Sequence, residues 1–99
     1  MQLNREQVVS TLLENREAIR RFGVERLGLF GSCARGDNPA PNDLDFLVEL
    51  KARSFDAYMD LKFFLEDLFD CPVDLVLEHT IKPRLRPQIM KELVDVQGL

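Results

Sequence analysis

Long hydrophobic runs, histidine, cysteine and net positive charge are all scarce in this 99-residue chain. Each scarcity removes a class of function. No stretch approaches the roughly 18 consecutive apolar residues of a membrane span, so no membrane anchor is expected. Met1 leads into the polar run Asn4-Arg5-Glu6-Gln7, which is no secretory signal, and a cytoplasmic protein is expected. The two cysteines, Cys33 and Cys71, have no metal-ligand spacing such as C-x-x-C; in an unexported chain they read as free thiols serving as small packing residues. The one histidine, His79, lies beside Glu78 just past a strand and reads as an exposed turn residue rather than a catalytic one. Thirteen Lys and Arg against 17 Asp and Glu leave a formal charge of −4. That argues against direct nucleic-acid binding, which relies on cations neutralising phosphates, and leaves a metal-carrying small ligand or a basic protein partner as the better fit. There is no internal repeat, low-complexity tract or linker, so residues 1–99 are expected to form a single domain. Such a chain has room for one core but none for a separate substrate-binding domain. Any large acceptor must be presented by a partner or met on an exposed surface.

The residues that remain order themselves into helices and strands. Asn4, with Gln7 three residues on, is a capping box for a helix running to about Phe22 and stopped by Gly23. Val8, Val9, Leu12, Leu13, Ile19 and Phe22 give it one apolar face. Leu27 to Phe30 reads as a short strand entering a Gly-Ser turn, and Pro39 and Pro41 make the following stretch turn-forming. From Asp43 to Leu50 the pattern alternates, Leu44, Phe46, Val48 and Leu50 on one side and Asp43, Asp45, Leu47 and Glu49 on the other. Ser54 caps a helix to about Phe69 that turns Tyr58, Leu61, Leu65, Leu68 and Phe69 inward, and Asp70-Cys71-Pro72 ends it. This helix carries more aromatics than one inward face can hold, so Phe63 or Phe64 is expected to be exposed. Val73 to Leu77 repeats the phase of the second strand and puts Asp74 with Glu78 on the side opposite Val73, Leu75 and Leu77. A last helix from about Leu85 to Val94 uses Leu85, Ile89 and Leu93. The expected fold is α+β: a small mixed sheet with helices on one face and an open acidic face.

The chemistry concentrates in Gly31-Ser32-Cys33-Ala34-Arg35-Gly36, Asp43-Leu44-Asp45 and Asp74. Free backbone N–H groups at a Gly-Ser turn can hold phosphate oxygens, and acids two apart on a strand project from one face. Adjacent strands lie about 4.8 Å apart, so Asp74 can reach the cleft of Asp43 and Asp45. Carboxylates suit hard divalent cations, and two Mg²⁺ ions about 3.5–4 Å apart serve in-line phosphoryl displacement. Asp43 and Asp45 fit the bridging pair, Asp74 the nucleophile's side, Gly31 and Ser32 the β/γ phosphates, and Arg35 the charge developing on leaving pyrophosphate. Any one of these features alone is weak, since a D-x-D pair is common as solvated polarity; the agreement of the strand phases is what makes them one site.

The run GSCARGDNPAPNDLDFLVEL resembles the G-S-x-A-R-G…[ST]-D-[IL]-D-[LF] signature of the polymerase-β nucleotidyltransferase superfamily. The short length, the later V-D-L-V and the K-P-x-L-R are similar to the minimal nucleotidyltransferases that act as antitoxins of HEPN-domain toxins. Asn42 stands where the pattern usually has Ser or Thr, and it can still make the local turn bond. The resemblance implies a polymerase-β-like core, Mg²⁺ on Asp43, Asp45 and Asp74, and nucleotide phosphates at Gly31 and Ser32. It further implies AMP transfer from ATP to a tyrosine of a HEPN toxin with which the chain forms an oligomer. Two alternatives remain: an antitoxin that only masks its toxin, with a vestigial nucleotide site, and transfer to a small molecule, which would need an added domain. Lys82, Arg84, Arg86 and Lys91 read first as a solvated face, with contact to nucleotide phosphates or an acidic partner as the second reading.

Overall fold

The computed structural model describes residues 4–36, 43–52 and 54–96. Asn42, Pro39 and Pro41 lie outside the described residues. The chain begins with helix α1 (Arg5–Glu14), whose capping box is formed as expected: Asn4 Oδ1 accepts from Gln7 N at 2.8 Å and Gln7 Oε1 accepts from Asn4 N at 3.2 Å. The single helix expected to Phe22 is instead two. Asn15, at φ −109° and ψ 17°, donates its side-chain amide to Thr11 O at 2.8 Å and bends the chain before α2 (Arg16–Arg20). An Asn side chain that bonds the preceding turn competes with the helical ladder, which is why apolar spacing alone overlooks the break.

Among the described residues four strands, β1 (Val24–Phe30), β2 (Leu44–Leu50), β3 (Val73–Leu77) and β4 (Val94–Asp95), form one sheet in the order β3-β2-β1-β4. Strand β1 (Val24–Phe30) begins earlier than expected, because Val24 pairs with Leu50 across a register irregularity. It runs antiparallel to β2 (Leu44–Leu50), and β2 runs parallel to β3 (Val73–Leu77) through the crossover helix α4 (Phe55–Phe69). Both ends of α4 have specific stops. Ser54 Oγ accepts from Ala57 N at 3.1 Å, and Asp70 adopts the left-handed conformation at φ 52°. Glu66 then accepts from Val73 N at 3.1 Å, tying α4 to the start of β3, and this bond holds its carboxyl below the usual range.

The expected strand phases are present. Leu44, Phe46, Val48 and Leu50 are buried with Val73 and Leu75 against α1, α2 and α4, and Phe46 stacks on Phe69 with ring centroids 5.9 Å apart. Tyr58 turns inward and donates its hydroxyl to Leu75 O at 2.6 Å, while Phe63 is exposed and Phe64 packs on Phe22.

The C-terminal segment differs from the expectation. Helix α5 spans only Arg86–Glu92, because Pro87 fits in its first turn and delays the start; Leu85 falls before it and is exposed rather than inward. The chain then forms a strand that periodicity could not reveal, β4 (Val94–Asp95), pairing with β1 at Leu29 and Gly28. Leu93 consequently lies on the sheet face opposite α1. A Cβ added to Gly28 would come within 3.1 Å of Leu93 Cγ, and the neighbouring Leu47 is fully buried. That face is therefore covered at one end and exposed at the end carrying Asp43 and Asp74.

Replacing Phe46 by Ala should cost about 3–5 kcal/mol of unfolding free energy in urea titrations, since it empties a fully buried site at the centre of the sheet. Asp70→Val should cost about 1–2 kcal/mol by forcing a β-branched residue into the left-handed region, whereas Asp70→Gly should not destabilise.

Candidate active site

The site forms where β1 ends and β2 and β3 begin. Phe30 leads without a linker into α3 (Gly31–Arg35), so the residues expected as a Gly-Ser turn are the first turn of a short helix. The N–H groups of such a turn have no intrahelical acceptors, and the residue at the cap position, Phe30, offers no side-chain acceptor. Gly31 makes the junction possible in two ways. Its φ of 79° is left-handed, and a Cβ at this position would collide with Asp45 Oδ2 and lie 3.0 Å from Asp45 Cγ. Ser32, partly exposed, follows at the second position, and Cys33 and Ala34 turn into the core.

Asp45 pairs in register with Phe30 on one side and with Asp74 on the other. Parallel in-register neighbours point to the same face, so Asp45 and Asp74 share one side of the sheet. Asp43 stands just before β2 and is exposed, as is Asp74; Asp45 between them is half-buried. Burial raises the Asp45 pKa above 3.8, with repulsion from Asp74 and then Asp43 adding to it, while Arg35 opposes the rise. The two cysteines border the same region and are free; burial pushes both thiols up. His79 is exposed in a single 3₁₀ turn (Glu78–Thr80).

Arg35 closes the other side of the junction. Its Nη1 donates to Glu92 Oε1 at 3.0 Å, and Glu92, at the end of α5, also contributes to raising the Asp45 pKa. Glu92 was invisible to motif reading: it follows Lys91 on a short helix with no polar phase and lies 57 residues from its partner. Of the basic residues noted near the last helix, Arg86 pairs with Glu78 at 3.0 Å, which accounts for it structurally. Lys91 lines a groove of about 650 Å³ with Arg5, Arg35, Gln88 and Glu92.

A divalent cation suits this donor set by charge, since hard cations take carboxylate oxygens. Among the described residues no three acid, thiol or imidazole side chains stand close enough together to hold an ion. Two of the acids are exposed, and the third, half-buried, has its carboxyl raised first by burial and then by the charge of the other two. The acids thus form an anionic cluster beside the first turn of α3.

Comparison with known proteins agrees with the fold and the motif. The nucleotidyltransferase domain family matches residues 12–96. The chain is 33% identical over 96 residues to protein adenylyltransferase MntA of Thermococcus cleftensis, covering 95% of this chain and 97% of the relative. A solved minimal nucleotidyltransferase superposes with a TM-score of 0.70 at 38% identity, covering 87% of this chain and 93% of that one. The fold is also shared, at a TM-score of 0.65 and 20% identity, with a structure of a tri-AMPylated Shewanella oneidensis HEPN toxin in complex with MNT antitoxin, covering 92% of this chain and 73% of that chain. The chain belongs to the nucleotidyltransferase domain family, and it is a transferase of the minimal nucleotidyltransferase type.

The electrostatics give a stability test. Because the folded state raises the Asp45 pKa, ionising Asp45 costs stability at neutral pH, and that cost disappears once the carboxyl is protonated in both folded and unfolded states. Asp45→Asn should therefore raise the melting temperature at pH 7 in metal-free buffer, the gain shrinking as pH falls toward 3.8. Gly31→Ala should do the opposite, displacing Asp45 and lowering the melting temperature at both pH values.

Proposed function

We propose that the chain is a Mg²⁺-dependent protein adenylyltransferase, the antitoxin of a HEPN toxin, which moves AMP from ATP to a hydroxyl of that partner. The observation that carries this reading is the in-register pairing of Asp45 with Asp74, with Asp43 beside them and the Gly31 junction directly against Asp45. The name of the Thermococcus relative supports the reaction, and the MNT antitoxin of the Shewanella complex, which has the same fold, supports the kind of partner. No helix among the described residues is long and apolar enough to cross a membrane, which is compatible with a cytoplasmic site of action.

In this reading the N–H groups at Gly31 and Ser32, with the Ser32 hydroxyl, hold the β and γ phosphates, and Arg35 faces the charge that develops on the leaving group. Asp43 and Asp45 would hold both of two Mg²⁺ ions, with Asp74 completing the site on the acceptor side. Bound there, the ions would supply charge neutralisation of the phosphates and lower the pKa of the acceptor hydroxyl. The acceptor oxygen, a tyrosine hydroxyl by preference, attacks the α-phosphorus as its bond to the β-phosphate oxygen breaks. The proton passes to Asp74 and pyrophosphate departs. The acceptor is presented by the partner, in a complex of the two proteins.

The test is to incubate the protein with α-labelled ATP, Mg²⁺ and a HEPN-domain partner. Asp43→Asn and Asp45→Asn should each lower transfer on the order of 10³-fold, the equivalent of several kcal/mol of lost charge stabilisation. Label on the partner that persists in both variants would refute the mechanism. Neutralisation of the toxin by the variants, with no AMP-sized mass shift on it, would establish masking instead.

A further inference from the structure

Glu92 has no part in the roles assigned so far, yet it is built into the site. Its carboxylate is largely shielded from solvent and accepts from Arg35 Nη1 at 3.0 Å. It is close enough to Asp45 to add to the field that raises that carboxyl. A fourth acid beside three others is unfavourable unless something requires it there, and the adjoining structure holds it in place. Glu92 ends α5, and the next three residues are fixed: Leu93 rests on Gly28, Val94 pairs with Leu29, and Asp95 pairs with Gly28. Arg26 adds a two-pronged bond to Asp95, Nε and Nη2 each at 2.9 Å, and donates Nη1 to Glu78 at 2.8 Å. The segment carrying Glu92 is thus anchored to the sheet immediately beyond it.

We infer that Glu92 is a positioning residue of the transfer site, its carboxylate fixing the Arg35 guanidinium at the mouth of the phosphate junction so that the guanidinium meets the departing pyrophosphate. The inference rests on the reading of the site as a nucleotidyltransferase centre with Arg35 on the leaving group. The anchored Glu92 carboxylate holds the Arg35 Nη1 at 3.0 Å, and a guanidinium positioned in advance brings less ordering cost to the reaction step. Lys91, its chain neighbour, faces the groove beside it and is not part of this pair.

The experiment is steady-state AMP transfer to the HEPN partner with ATP and Mg²⁺, together with inhibition by added inorganic pyrophosphate. It compares wild type, Glu92→Gln, Glu92→Asp, Arg35→Met, the Arg35→Met/Glu92→Gln double variant and Asp43→Asn. Glu92→Gln should lower kcat on the order of tenfold and weaken pyrophosphate inhibition by a similar factor, with the KM for the partner unchanged and the melting temperature close to wild type. Glu92→Asp should recover part of the loss, and Glu92→Gln should add nothing to Arg35→Met. Active wild type, inactive Asp43→Asn and a Glu92→Gln variant with wild-type kcat and pyrophosphate inhibition would overturn the inference while leaving the transferase reading intact. An effect of Glu92→Gln fully additive with Arg35→Met would overturn it equally. A wild type that transfers nothing would overturn the transferase reading and the inference with it.

Discussion

The contact between Gly31 and Asp45 is the constraint on which the site depends. The strand β1 must end, reverse its backbone through a left-handed residue and start a helix within one position, and it must do so against a carboxylate on the neighbouring strand. Any side chain at residue 31 would occupy the volume of the Asp45 carboxylate, so the first turn of α3 and the acid cluster are separated by a single missing Cβ. The remaining architecture preserves that arrangement. Parallel pairing of β2 and β3 through α4 brings Asp74 level with Asp45, and the Glu66 bond to Val73 and the Asp70 reversal fix where β3 begins. Burial of Phe46 and Leu44 on the opposite face holds β2 in register, since a slip of one residue would turn Asp45 into the core.

This arrangement stores an electrostatic cost. Three carboxylates share one sheet end, and the middle one, half-buried, has its pKa raised first by burial and then by repulsion from Asp74 and Asp43. Arg35 relieves a part of the cost and Glu92 adds to it. A protein selected for stability alone would not gather acids in this way. A cation carrying a phosphorylated ligand would convert that repulsion into attraction.

Much of this could be read from residue order. The alternation through Leu44–Leu50 and Val73–Leu77 fixed which side chains share a face, because a period of two admits no other assignment once the apolar row is buried. The capping residues Asn4 and Ser54 were equally legible, since their chemistry is local. What escaped depended on distant partners or on competition within a turn. The break at Asn15 turns on one side-chain amide, and β4 is two residues long and exists only because β1 offers it an edge. The helical character of Gly31–Arg35 was hidden for a similar reason: five residues carry no readable period, and Gly suggests a turn. Glu92 reaches Arg35 across 57 residues, a relation set by how α5 and β4 return over the sheet and by nothing in the motif itself.

The central claim is that Asp43, Asp45 and Asp74 act together as one cation site beside the Gly31-Ser32 turn. It is tested most directly by adding substoichiometric Mn²⁺ to the isotope-labelled protein in the presence of a non-hydrolysable ATP analogue and recording amide spectra. Selective paramagnetic broadening confined to the amides around residues 31–33, 43–46 and 73–75, abolished by Asp45→Asn, is the predicted result. Broadening centred elsewhere, or a pattern unchanged by Asp45→Asn, would contradict the account.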